Sequence, residues 1–172
     1  MEAIITDLTP YYFQDNADND IIVGELYARA FGPARFVKAA HFLRLGNVCD
    51  YDLSYVAKID GKIVAACRMW HIKDEAGNTA VFLGPIAVER QYRHLRIGHE
   101  LMKLCLNACD ATGVKIVLLV GDYSYFAQFG FERVANNLVF PLPVMDGRVL
   151  WRKTEGDANL KGRIFPFPPP HK

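Results

Sequence analysis

The chain carries almost no excess charge. Its 20 Lys and Arg stand against 19 Asp and Glu, a formal net of +1 over 172 residues. That argues against general nucleic-acid binding, which usually shows a strongly basic domain. Long apolar runs are missing too: IVAACRMW and IVLLVG fall far short of the roughly 20 residues that span a bilayer. The start, MEAIITDLTP, lacks the basic stretch and apolar core of a secretory leader. A cytoplasmic protein with no membrane partner is the expectation. The sequence has no GxxxxGK[ST] phosphate loop and no CxxC. Cys49 and Cys67 stand alone, and Cys105 and Cys109 share a helix without a histidine at ligand spacing. All four read as small buried or half-buried thiols rather than metal ligands or disulfide partners. His94 and His99 do not share a helix face, so no metal is expected.

What is present is a chain 51% apolar, long enough to bury one core. AIITDL (3–8) reads as a short strand closed by Thr9 and Pro10. NDIIVGELYARAF (19–31) has apolar residues at helical spacing behind capping aspartates and ends at Gly32 and Pro33. ARFVKAAHFLRLG (34–46) reads as a second helix. DLSYVAKI and KIVAACRMWHI flank Asp60 and Gly61, a strong hairpin signal. A turn, KDEAGN, leads to TAVFLGPIAV, which completes an antiparallel meander. The period then changes: Ile97, Leu101, Leu104, Cys105 and Ala108 line one helix face and Gly113 stops it. VKIVLLV has the unbroken apolar character of a strand covered on both faces. Strand, helix and strand with a short return predict a parallel pair. SYFAQFGF adds one or two helical turns, and NLVFPLPVMDGRVLWRK suggests a hairpin around Asp146 and Gly147. The tail, RIFPFPPPHK, is expected to be extended, covering an edge or partly disordered.

Two local features stand out. Gly84 and Pro85 lie inside a strand, where proline removes a ladder donor. Either the strand bulges or splays there, or it bends at an edge. Directly after it, ERQYRHLRIGHEL concentrates Arg90, Arg93, Arg96, His94 and His99 where a strand hands over to a helix. Free amides and the helix dipole at such a point favour a phosphate or similar anion; a solvated basic turn is the plainer alternative.

FLGPIAVERQYRHLRIGHELMKLCLNACDATGVKIVLLVGDYSYFAQFGF (82–131) resembles the core of the GNAT acetyltransferases, most closely a bacterial branch with LGPxAV and LVGDxxYYxxFGF segments. The resemblance implies an α/β (α+β) fold: one domain over residues 1–172, with a proline-rich tail from about 163. Its mixed central sheet would splay between the strand at 79–88 and the strand at 115–120, flanked by helices. It implies acetyl-CoA as co-substrate. The turn of Arg93, His94, Leu95, Arg96, Ile97 and Gly98 would hold the pyrophosphate, and Ile86, Ala87 and Val88 the pantetheine arm, with a free amide polarising the thioester carbonyl. The chain departs from the family pattern at Arg96, where the family has glycine. Either the turn survives with the arginine pointing outward, or pyrophosphate binding is impaired. A non-glycine residue forced into the left-handed region there costs on the order of 1–2 kcal/mol.

The family's usual acid, a tyrosine four residues before the Gly-Phe pair, is Phe126 here. Tyr125 is the neighbouring candidate, although one helical step turns its hydroxyl about 100° away; Tyr123 is another if the segment is irregular. Asp122 and His71 are the candidates for a base, or the amine loses its proton to water. The activity implied is N-acetyl transfer to a primary amine by direct attack in a ternary complex. The alternative is a non-catalytic sensor of CoA or acyl-CoA with the same fold. The expected partners are a small-molecule or peptide amine and, through the aromatic C-terminal segment, a second copy of the chain. FGPARF and VCDYD offer apolar and acidic elements around the acceptor.

Overall fold

The structure, a computed structural model, describes residues 7–168. A mixed sheet runs in the order β1-β2-β3-β4-β5-β8-β6, with β9 against β3 and β7 against β9. The early strands are β1 (Tyr11–Gln14), β2 (Tyr55–Ile59), β3 (Lys62–Asp74) and β4 (Thr79–Val88). After α3 (Ile97–Ala111) come β5 (Ile116–Val120), β6 (Glu132–Arg133), β7 (Leu138–Val139), β8 (Val149–Lys153) and β9 (Gly162–Pro166). The meander β2-β3-β4 is antiparallel, and β5 returns parallel to β4.

Period-2 alternation sorts the core onto two faces. Cys67, Met69, Val81, Leu83, Val117 and Leu119 meet α3 through Ile97, Leu101 and Cys105. Their neighbours on the other face meet two helices. Ala66 and Ala87 pack under α1 (Asp20–Phe31) through Val23, Leu26 and Tyr27. Ile72, Phe82 and Leu118 pack under α2 (Ala39–Arg44) through Ala39 and Leu43. β5 is covered on both sides, which its unbroken apolar run requires. All four cysteines are buried and unpaired.

Three expectations are corrected. Of the strand expected at 3–8, residues 3–6 lie outside the described residues; Asp7 and Leu8 carry no strand, and β1 starts only after Pro10. The second helix is broken: a 3-10 turn (Pro33–Val37) precedes α2, and Lys38 between them is extended at φ −89°, ψ 146°. The break lets Ala39 and Leu43, one turn apart, face the sheet. The late hairpin does not form either. The turn at Asp146 and Gly147 exists, but β8 pairs with β5 and β6, while β7 pairs with β9. Pro141 and Pro143, which precede that turn, offer no ladder donors.

The described part of the tail covers an edge through β9, as one reading of it proposed. β3 is longer than its partner β2, and β9 pairs with its free end at Ile72, Lys73 and Asp74.

Candidate functional site

β4 bulges where its proline lies. Gly84 and Pro85 together oppose the single residue Arg68 of β3, since Cys67 pairs with Ile86 and Met69 with Leu83. Both bulge carbonyls are satisfied: the Trp70 indole donates to Gly84 O at 2.6 Å and the Tyr27 hydroxyl to Pro85 O at 2.7 Å. Arg68 is itself buried and anchored, Nε to Asp15 Oδ2 at 2.8 Å and Nη2 to Asp20 Oδ1 at 2.9 Å. Tyr27 thereby ties the β4 bulge to α1, and Arg68 ties β3 to the start of that helix.

On its other edge β4 parts from β5. Parallel pairing joins only Val81 with Val117 and Phe82 with Leu118, yet β4 runs on to Val88. Glu89 N–H donates to Val64 O at 2.8 Å. Antiparallel partners alternate between bonded and non-bonded pairs, so Ala87 faces β3 while Ile86 and Val88 turn their backbone groups toward the gap. The Val88 carbonyl there accepts from Arg93 Nε at 3.3 Å.

The basic segment is a 3-10 turn (Arg90–Leu95) that feeds α3. Arg96 joins the two in the left-handed conformation, φ 57° and ψ 28°. No side chain caps α3, so its first-turn amides stay available to a ligand. Ile97 is fully buried and Leu95 packs on the same core, while His94 is exposed. The turn is thus anchored by apolar side chains and presents backbone and cations. Arg96 Nη2 lies 3.4 Å from His99 Nδ1. Glu89 is occupied by an ion pair with Arg29.

Ile86, Ala87, Val88, Arg93, Arg96 and Gly98 line one groove of about 470 Å³, and no Asp or Glu among the described residues lines it. Tyr125 joins them. A Cβ on Gly98 would lie 3.6 Å from Tyr125 Oη and 3.6 Å from Val88 Cγ2, so glycine leaves this corner open. Burial pushes the Tyr125 phenol above its usual value of 10, with Arg96 opposing; it is protonated at neutral pH. Phe126, one residue on, turns the other way. It packs against Gly121 and Phe131 and lines a second chamber of about 230 Å³ where β4 and β5 part. Groove and chamber share Phe31 and Ile86, so they are consecutive stretches of one cleft.

The other sequence candidates lie elsewhere. Asp122 is exposed and caps α4 (Tyr123–Phe126), accepting from Ser124 N–H at 3.3 Å. His71 pairs with Val81 near the start of β4 and holds Asp50, Nε2 to Oδ2 at 2.7 Å. Neither lines groove or chamber. The acidic loop does not reach the chamber either, because Asp50 is taken by His71 and Asp52 Oδ1 by the Gln14 amide. Sequence reasoning missed the cations of the chamber wall: Arg35, Lys38, Arg44 and Arg148. One signal was available, since no Asp or Glu occurs between Glu25 and Asp50 while four Lys and Arg do.

Known proteins share this architecture. The profile described as "Acetyltransferase (GNAT) family" matches residues 10–131. An uncharacterized N-acetyltransferase of Escherichia coli K12, YjhQ, is 25% identical over 136 residues, covering 77% of this chain and 75% of YjhQ. The N-acetyltransferase YhbS from Escherichia coli, solved in complex with CoA, superimposes with a TM-score of 0.77 over 96% of this chain and 94% of its own, at 20% identity. A Brucella melitensis acetyltransferase solved with acetyl-CoA gives 0.66 over 92% and 96%, at 18% identity. At such identities the two structures speak for the fold alone.

Proposed function

Since the chain belongs to the Acetyltransferase (GNAT) family, we propose that it transfers an acetyl group from acetyl-CoA to a primary amine in a ternary complex. The observation that carries this reading is the cleft itself. The backbone of Ile86 and Val88 faces a gap that β5 has vacated, and the gap runs from an uncapped, cationic helix start to a chamber between the strands.

The groove suits the donor. The first-turn amides of α3, with Arg93 and Arg96, would bind the pyrophosphate, and the open corner at Gly98 gives it room. The gap-facing backbone groups of Ile86 and Val88 would hold the pantetheine arm, and an amide of this edge would polarise the thioester carbonyl. Acetyl-CoA supplies an activated acyl carbon. The amine, once deprotonated, attacks that carbon: a C–N bond forms, the C–S bond breaks, and the sulfur leaves as thiolate. Phe126 offers no proton on the chamber wall, and no Asp, Glu or His among the described residues lines the chamber. The amine's proton therefore passes to water, and rate comes chiefly from holding the reactants together. The Tyr125 hydroxyl, beside Gly98, donates to the donor in the groove. In this reading Asp122 and His71 act on the scaffold and not on the substrate.

Calorimetric titration with acetyl-CoA, followed by thiol release on adding amines, tests the proposal. Binding weakened in Arg93→Ala, with turnover of an amine, supports it. Folded wild type that fails to bind would overturn it, and tight binding without turnover of any amine would leave a CoA sensor instead.

A further inference from the structure

The chamber beyond Phe126 is ringed by positive charge from three separate segments: Arg35 and Lys38 before α2, Arg44 at its end, and Arg148 ahead of β8. Its walls are otherwise apolar, among them Leu83, Leu119 and Phe126, and contain no carboxylate among the described residues. Among the described residues outside the chamber, Arg29, Arg68, Lys103, Lys115 and Arg152 reach an Asp or Glu, and most other cations there are solvated without one. Lys38, Arg44 and Arg148 reach none among the described residues. Arg44 is half-buried, and burial holds its guanidinium down to about 10, with the Tyr27 phenol opposing. A partly desolvated cation without a counter-charge is unfavourable, and an anion entering the chamber relieves that.

We infer that the acceptor is a small amine carrying an oxyanion, a carboxylate or phosphate, close to its nitrogen. The inference rests on the acetyltransferase reading of the cleft. Arginine guanidinium matches either oxyanion with paired hydrogen bonds. The same charges act on the nitrogen: an ammonium among cations is disfavoured, so the neutral, nucleophilic amine is favoured without a side-chain base. A polyamine would keep a second positive charge after one nitrogen loses its proton and be repelled, and a lysine side chain would bring no oxyanion to this wall. At about 230 Å³ the chamber is smaller than the roughly 300–1,000 Å³ of drug-sized pockets, which suits a metabolite.

Thiol release from acetyl-CoA with matched acceptors provides the test. Amino acids and phosphoethanolamine carry the oxyanion; amino-acid amides and ethanolamine lack it; spermidine and a peptide with an acidic first residue complete the panel. Acetyl-CoA affinity is followed separately by calorimetry. Turnover is expected only with the oxyanion-bearing small amines, and carboxylate or phosphate preference identifies the source. Arg44→Gln and the exposed Arg148→Gln should each lower kcat/KM for them about tenfold or more while acetyl-CoA affinity is unchanged. Preference for ethanolamine, the amides or spermidine would overturn the inference and leave the acetyltransferase reading standing. Turnover of the peptide alone would replace the small acceptor by a polypeptide. Failure of acetyl-CoA to bind would remove the underlying reading as well. If no amine reacts, thermal shifts by inorganic phosphate and by glycine, with the groove saturated by CoA, decide. A shift lost in Arg148→Gln supports the inference; equal or absent shifts overturn it.

Discussion

Tyr125 and Gly98 flank one open corner of the cleft, the phenol oxygen 3.6 Å from the position a Gly98 Cβ would take. Tyr125 belongs to α4 and Gly98 to the first turn of α3, so the corner exists only because the two helices start side by side. The adjacent side chains Tyr125 and Phe126 divide the cleft between them, the hydroxyl in the groove and the bare ring at the chamber.

In the proposed donor site, Tyr125→Phe would remove one hydrogen bond to acetyl-CoA. The expected result is a KM for acetyl-CoA raised up to about tenfold, with kcat close to wild type. Steady-state kinetics checks this; a loss of about 10²-fold in kcat at unchanged KM would assign the hydroxyl as the acid instead. Because burial raises this phenol above 10, any alkaline limb due to it lies above pH 10.

Gly98→Ala should separate stability from binding. The new methyl meets Tyr125 and Val88 at ordinary contact distance, and alanine favours a helix over glycine by roughly 0.5–1 kcal/mol. The variant is expected to melt at or above the wild-type temperature and to bind acetyl-CoA more weakly. Melting curves and titration together check it, and unchanged affinity would place the donor elsewhere.

Arg96→Gly relieves a left-handed residue. The strain is about 1–2 kcal/mol, and the greater freedom of glycine in the unfolded chain returns about 0.5–1 kcal/mol of that. A net gain of up to about 1.5 kcal/mol is expected in urea unfolding. Acetyl-CoA affinity should fall, and its salt dependence should become shallower, because one cation near the phosphates is gone.

Asp15→Ala strips the buried Arg68 guanidinium of its best partner and also frees Asn16 N–H and the Asn19 amide. Breaking such a pair from one side costs about 3–5 kcal/mol. Unfolding by urea measures it, and a loss below about 1 kcal/mol would show that Asp20 carries Arg68 alone.

Asp50 provides the pH-dependent term. The His71 hydrogen bond, against the opposing effect of burial, holds its carboxyl below the ordinary 3.8. Its stabilisation is therefore complete above about pH 4 and is lost as pH falls through the lower folded value. Asp50→Asn should be less stable at neutral pH and flatter below pH 4 in acid titrations followed by circular dichroism.

Much of the scaffold was legible along the chain because neighbours in sequence decide it. Alternation with an Asp-Gly turn specified the meander, the 3.6-residue period specified α3, and Gly84 with Pro85 marked the bulge, since proline lacks a ladder donor wherever it sits. The turn from Arg93 to Gly98 was equally local, and Arg96 took the strained conformation foreseen for a residue replacing glycine. What could not be read was the spatial convergence of distant segments. His71 and Asp122 are chemically suitable bases, yet packing put one against Asp50 and the other at a helix cap. β8 found its partners in β5 and β6 rather than across its own turn. The cations at 35, 38, 44 and 148 form one wall only after α2 and the loop before β8 settle over the parting strands. Local order follows from backbone geometry and side-chain period over a few residues. The chamber and its charge follow from the burial of two separate sheet faces, which no short stretch of the chain encodes.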